Sequence, residues 1–167
     1  MPQIPGVYSL LELVEAIALQ PDHWRPLVLT NGCFDLIHSG HVRYLRTAKR
    51  LGRSLIVGLN SDQSVRAIKP QTLGKPARPI VPEMQRAEVL AALKPVDGVV
   101  IFSETNACRL IQVLQPDLYV KGGDYDLEML PEVPEVLACG GQVELVTVEI
   151  SSSTTAIIQS ILQSVQE

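Results

Sequence analysis

An α/β fold, one parallel sheet of five strands with helices on both faces, is what this sequence predicts, and three observations carry the prediction. Short apolar runs rich in Val, Ile and Leu alternate along the chain with stretches of helical periodicity. The polar, glycine-bearing motifs fall after those runs, where a parallel sheet presents its carboxyl edge. A length of 167 residues, 46% hydrophobic and 4% aromatic, suffices for one aliphatic core and hardly for two, so residues 1–167 read as a single domain.

Residues 1–24 form an N-terminal helical extension. Leu10, Leu13, Val14, Ile17 and Ala18 make one stripe, and Ser9 with Glu12 make a capping box. Leu27-Val28-Leu29 is the first strand. Val42–Leu51 is a helix with Val42, Leu45, Ala48 and Leu51 inward and Gly52 placed to end it. Leu55–Leu59 is a second strand ending at Asn60-Ser61-Asp62, and a short helix covers Ser61–Ile68. Residues 69–82 carry Pro70, Gly74, Pro76, Pro79 and Pro82, too many breakers for regular structure, and read as a mobile loop. Pro82 suits the first turn of a helix running to about Leu93. Gly98–Phe102 is a third strand, and Thr105 caps a helix with Ala107, Leu110, Ile111 and Leu114 on one face. Leu118–Val120 is a fourth strand, Val133–Ala138 a helix closed by Gly140-Gly141, and Val143–Val148 a fifth strand. Ser151–Thr155 lead into a last helix with Ile157, Ile158, Ile161, Leu162 and Val165 on its inner face. The alternation implies right-handed crossovers and a Rossmann-like domain without internal repeats.

Chemistry concentrates in Thr30-Asn31-Gly32-Cys33-Phe34-Asp35-Leu36-Ile37-His38-Ser39-Gly40-His41, a strand-to-helix turn. Gly32 lets backbone approach a ligand closely, and Gly40 opens a helix whose first N–H groups point at any anion there. His38 and His41, three positions apart, lie on nearly the same side of that first turn and suit charge developing on a phosphate. Two other readings stand beside this one. The histidines could cap a helix, or they could join Cys33 as zinc ligands, although the chain has no CxxC and no HExxH. Cys33 reads as a small residue packed beneath the turn rather than as a nucleophile. Lys121-Gly122-Gly123-Asp124-Tyr125 offers a cation, two flexible residues and a carboxylate after the fourth strand, or else a plain turn. Ser153-Thr154-Thr155 offers three hydroxyls at a helix N-terminus, either an N-cap or a triphosphate cradle.

The decapeptide Gly32–His41 resembles the GxFDxxHxGH signature of the nucleotidyltransferase superfamily that includes the cytidylyltransferases. Lys121–Tyr125 is similar to the KGGDY segment of the heptose-type adenylyltransferases found in ADP-heptose synthase. Arg78-Pro79-Ile80 and Gln85-Arg86 resemble that family's segment at the mobile loop. The resemblance spans residues 8–163 and implies transfer of AMP from ATP to a sugar 1-phosphate, D-glycero-β-D-manno-heptose 1-phosphate first, with release of pyrophosphate. It implies His38, His41 and Lys49 as catalytic. Asn31, Gly32, Cys33, Phe34, Gly40, Arg86, Lys121, Gly122, Asp124, Ser153, Thr154 and Thr155 would bind the nucleotide, and Asp35, Asn60 and Asp62 the acceptor. Mg2+ or Mn2+ would bridge phosphate oxygens without a fixed protein site. Asp35 would either meet that metal or brace the turn. The alternatives are CTP-dependent transfer to glycerol 3-phosphate or another polyol phosphate, and a nucleotide-binding module without turnover. Departures from the family pattern are a longer segment at residues 69–77, Ile150-Ser151-Ser152 before the hydroxyl turn, Arg53 in place of an acid, and Val148 where glycerol-phosphate enzymes place arginine. Relatives commonly pair, so a homodimer is implied as an option. Met1 lies a few residues before the first helix, so the kinase often fused ahead of this domain is expected to be a separate protein.

Composition narrows the field. The net charge is −4, from 14 basic and 18 acidic residues, which argues against nonspecific nucleic-acid binding. Within it, residues 43–86 hold ten Lys or Arg against Asp62 and Glu83, which suits a small anionic ligand held locally. No apolar run reaches the length of a membrane span and the N-terminus lacks a leader pattern, so a cytoplasmic protein without a membrane partner is expected. Three widely spaced cysteines make no disulfide framework.

Overall fold

The strands are β1 (Val7–Tyr8), β2 (Leu27–Gly32), β3 (Ser54–Asn60), β4 (Gly98–Phe102), β5 (Leu118–Gly122) and β6 (Gln142–Val146). The helices are α1 (Leu10–Leu19), α2 (Pro21–Trp24), α3 (Ser39–Lys49), α4 (Asp62–Ile68), α5 (Glu83–Ala91), α6 (Cys108–Leu114), α7 (Glu132–Ala138) and α8 (Thr154–Ser164). They belong to a computed structural model that describes residues 4–71, 76–123, 126–147 and 153–164. The strands form one sheet in the order β1-β4-β3-β2-β5-β6, and every pairing is parallel.

The sheet therefore has six strands rather than five. The extra one, β1, is two residues long, too short to show a period, and pairs Val7 with Val99 and Tyr8 with Val100 at the edge. Side chains of β2 alternate between two cores. Leu27 and Leu29 pack with Leu13, Trp24, Leu110 and Ile111 on one face. Val28 packs with Leu45, Ala48, Ala87 and Leu90 on the other. Both faces are covered, which is why the strands read as continuous apolar runs.

The capping box at the start of α1 is present, with Glu12 N–H donating to Ser9 Oγ and Ser9 N–H to Glu12 Oε2. Three local expectations give way. Gly52 does not cap α3 in a left-handed conformation; α3 ends at Lys49, and a Cβ at Gly52 would lie 2.6 Å from Pro26 O and Val28 Cγ2, so close approach is what demands glycine. Thr105 does not cap α6. The Cys108 N–H goes instead to Asn106 Oδ1 and the Ala107 N–H to Glu132 Oε1, a residue far away in sequence. The apolar stripe of α8 has no buried member: Ile157 and Ile158 are half-buried, and Ile161 is 56% and Leu162 43% exposed. Val148, Ile150-Ser151-Ser152 and Val165 lie outside the described residues, as do 72–75 of the expected loop.

Candidate functional site

Strand order reverses beside β2: the chain crosses through α3 to β3 on one side, and β5 pairs on the other. Such a reversal opens a crevice at the carboxyl edge of a parallel sheet, where ligands of these folds bind. Both strands that border it end in glycine, Gly32 in β2 and Gly122 in β5.

Beyond Gly32 the backbone turns sharply. Phe34 sits at φ 41° in the left-handed region, a strained conformation for an aromatic residue and one that folds keep at functional turns. Its ring is buried against Gly32, where a Cβ would lie 3.0 Å from Phe34 Cε2, and its centroid is 5.3 Å from the His41 ring. The turn delivers the chain into α3 with His38 at the N-cap and Gly40 buried in the first turn.

His38 and His41 stack with ring centroids 3.9 Å apart. Neither performs the ordinary capping job, because α3 has no side-chain cap hydrogen bond. Both Nδ1 atoms are buried without a hydrogen-bond partner, and they are the only such side-chain atoms among the described residues. Burial holds His38 below the usual imidazole range. His41 is pushed down to about 4, by burial first and then by the neighbouring His38. At neutral pH both rings are therefore uncharged, each with one N–H to donate and one nitrogen to accept. Two unsatisfied imidazoles at a helix N-terminus are matched to a polar, anionic guest.

The hydroxyl turn joins this place from the far end of the chain. Thr154 Oγ1 donates to Leu36 O at 3.3 Å, 118 residues away, while Ser153 Oγ caps α8 by accepting from Ala156 N–H. Thr155 is exposed and lines a cavity of about 280 Å³ together with Lys69, Arg78, Ile158 and Leu162. From β5, Gly122 lies where a Cβ would meet the Tyr44 ring at 2.9 Å. The Tyr44 hydroxyl joins the two bordering strands, sharing a hydrogen bond with Thr30 Oγ1 at 2.6 Å and donating to Val120 O at 2.8 Å. The Lys121 side chain is mostly buried, its ammonium 3.8 Å from Glu132 Oε1. Asn31 accepts a hydrogen bond from Tyr119 at Oδ1. Asp124 lies outside the described residues.

Other expected site residues are placed elsewhere. Lys49 stands at the far end of α3 from the histidines. It pairs with Asp97 at 2.6 Å and donates to Arg53 O, both at the sheet's amino edge, about 15 Å of helix rise from the histidines. Arg86, expected at the nucleotide, is turned into the protein instead. Its side chain is fully buried and spends its donors on Val81 O, Cys33 O, Asn60 O and Asp62 Oδ1, so it is a strut between the signature turn, β3 and the loop. That engages one oxygen of Asp62, whose side chain stays partly exposed, while Asn60 is 2% exposed with its amide on Ser64 Oγ and is not offered to an acceptor.

Asp35 braces rather than binds: its carboxylate takes Arg78 Nε and the N–H groups of Ile80 and Val81, tying the loop to the signature. Both Asp35 oxygens are engaged, and among the described residues no three His, Cys, Asp or Glu side chains cluster, so these side chains do not by themselves make a cage for Mg2+ or Mn2+. Cys33 is no nucleophile either, since burial pushes its thiol up. Sequence reasoning passed over Lys69, whose charge, with those of Arg78 and Arg86, acts on Cys33 and which lines the cavity. Its signal was available: it is the first cation after a strand-following helix, at the mouth of the proline-rich segment.

A parallel α/β domain with a crevice at the strand-order reversal, a histidine pair opening the helix after β2 and a hydroxyl turn bonded to the loop before that helix is a nucleotidyltransferase domain in class. The chain belongs to the cytidylyltransferase-like family, whose model matches residues 29–161. It is 49% identical over 165 residues to the bifunctional protein HldE of Geobacter metallireducens, covering 99% of this chain and 32% of that protein. To the bifunctional protein HldE of Citrifermentans bemidjiense it is 46% identical over 158 residues, 95% of this chain and 31% of the relative. The chain thus spans about a third of the length of the curated relatives it matches. Among solved structures, the lipopolysaccharide core biosynthesis protein from Thermoplasma volcanium superposes with a TM-score of 0.58 at 28% identity, covering 75% of this chain and 97% of that one. No helix among the described residues is long and apolar enough to cross a membrane.

Proposed function

We propose that this domain transfers AMP from ATP to a sugar 1-phosphate, with D-glycero-β-D-manno-heptose 1-phosphate the acceptor to be tried first. The observation that carries the transfer chemistry is the stacked, neutral histidine pair with both Nδ1 atoms buried and unpaired at the mouth of α3. The preference for ATP and a heptose phosphate rests on the KGGDY segment and on the similarity to the HldE proteins.

An oxygen of the acceptor phosphate attacks the α-phosphorus of ATP, a P–O bond forms, and the bond to the β-phosphate oxygen breaks as pyrophosphate leaves. The attacking oxygen is already ionised, so the protein needs neither a nucleophilic side chain nor a strong base. What it supplies is alignment and donors aimed at developing charge. The imidazoles donate N–H groups to phosphate oxygens near the α-phosphorus. The first amides of α3 contribute the helix-end field. Lys69 and Arg78, on the cavity wall with Thr155, suit the charge of the phosphate chain or of the acceptor.

A pyrophosphate-release screen crossing ATP, CTP, GTP and UTP with sugar 1-phosphates and polyol phosphates tests this. Release with ATP and a sugar 1-phosphate is the expected result. Release only with CTP and a polyol phosphate would replace the proposal with the cytidylyltransferase reading. Tight nucleotide binding with no release from any pair would leave a binding module.

A further inference from the structure

Behind the crevice lies a buried polar chain that the transfer reaction does not itself use. Glu132 opens α7 and is 3% exposed, an unusual place for a carboxylate. One of its oxygens accepts the Ala107 N–H at 3.2 Å and lies 3.8 Å from the Lys121 ammonium. Beside this pair lies Tyr119, whose ring is wholly buried and whose hydroxyl donates to Asn31 Oδ1 at 2.6 Å. The Lys121 ammonium in turn lies 5.7 Å over the Tyr119 ring. The four residues link the end of β2, where the signature begins, to the end of β5, where the Lys-Gly-Gly segment begins.

We infer that Glu132 is a positioning residue for nucleotidyl transfer: its buried carboxylate, fixed at the start of α7 by the Ala107 N–H, holds the Lys121 side chain at the crevice. The inference rests on the proposed function in taking Lys121 to face the nucleotide's phosphates. Charge makes the assignment specific. A buried carboxylate without a cation is costly, and the cation here is Lys121. Among the described residues, the groups that face Lys121 are Glu132 from α7, Cys33 from the turn after β2, and the Tyr119 ring on its own strand. Burial lowers Lys121 from the usual lysine range, and the Glu132 charge works against that fall. The Cys33 thiol is itself pushed up by burial, so at neutral pH Glu132 is the one negative charge among these neighbours. Remove it, and Lys121 loses its proton at a lower pH.

The test compares the full chain with Glu132→Gln, Lys121→Arg and the double variant. Glutamine keeps the size and the oxygen that accepts from Ala107 and drops only the charge. Two readouts are taken. The first is an NMR titration of 15N-labelled lysine ammonium groups, with Lys121 assigned from its absence in Lys121→Arg. Its midpoint should fall by about one pH unit or more in Glu132→Gln. The second is ATP affinity from pH 7 to 10. The alkaline loss of affinity should begin earlier in Glu132→Gln than in the wild type and vanish in both variants carrying arginine, which stays charged throughout. A Lys121 midpoint unmoved in Glu132→Gln overturns the inference. If Glu132→Gln does not fold, Lys121→Arg decides alone, and an alkaline limb identical to wild type overturns it. A wild-type chain that binds no nucleotide at any pH would defeat the proposed function, while the lysine titration would still judge Glu132.

Discussion

Helix α3 carries charge-bearing side chains at both ends, and the two ends do opposite work. At its N-terminus His38 and His41 are left unsatisfied, stacked and uncharged, under a strained Phe34. At its C-terminus Lys49 is paired with Asp97 and donates to Arg53 O, and Asp97 also accepts the Leu55 N–H. A polar group whose hydrogen bonds are complete within the protein has nothing left for a guest. One buried without a partner has been kept ready at a cost, and that cost is the mark of a site. The same criterion separates Arg86, Asp35 and Asn60, which are engaged, from the imidazole pair, which is not.

The largest effect should come from emptying the N-terminal end. His38→Ala or His41→Ala should lower kcat/KM for pyrophosphate release by roughly 10²–10³, the usual cost of one lost donor to transition-state charge. The fold should persist, because neither ring makes a side-chain hydrogen bond to the protein and what is lost is packing between the two imidazoles and Phe34. A variant that keeps full turnover with every acceptor tried would break the contrast between the two ends.

Asp35→Asn comes next and acts on stability first. Asp35 is 3% exposed and anchors Arg78 with the backbone of Ile80 and Val81, so neutralising it strands a partly buried cation. Breaking such a pair should cost about 3 kcal/mol. Chemical denaturation would read that loss, and KM should rise as the segment bearing Arg78 leaves the cavity wall. An unchanged midpoint in denaturant would show that the loop is held by something else.

Acid should sharpen the comparison in a smaller and more specific way. His41 titrates near 6.5 when unfolded and at about 4 when folded, so between those values the unfolded chain binds more protons. Stability therefore rises with pH through that window and is level above it. Thermal midpoints measured from pH 7 down to 4 should fall, and His41→Asn should flatten part of the decline. An identical slope in the variant would mean that the ring is not held neutral by its surroundings.

What the sequence made legible follows the range of the interactions involved. The βα turn, the glycines bordering the crevice, the capping box and the strand–helix alternation are local, and local patterns of period and residue type reveal them. Four of the differences share another cause. Lys49 falls in a helix-end segment similar to the family's, but α3 projects it to the far edge of the sheet, towards Asp97, 48 residues on. Thr105 loses α6 to Glu132, 25 residues downstream of the Ala107 N–H it takes. Arg86 reads as a free cation until β3 and the signature turn close around it. The stripe of α8 has the period of an inward face, yet no side chain of this helix is buried. Periodicity reports that a face is apolar and says nothing of whether another element lies over it.

The smallest expected effect belongs to Lys49, and it tests the other end of the same helix. Lys49→Met removes an ion pair whose side chains are 29% and 32% exposed, so screening by water and salt limits its worth to about 1 kcal/mol or less. Part of that returns because methionine covers the same apolar stem area. Asp97 retains the Leu55 N–H, which keeps the start of β3 paired. Thermal unfolding should shift by no more than a few degrees, and kcat and KM for pyrophosphate release should match wild type within a factor of about two. A loss of rate comparable to that of His41→Ala, at unchanged stability, would mean that Lys49 reaches the phosphates after all, and the division of α3 into a working end and a structural end would be wrong.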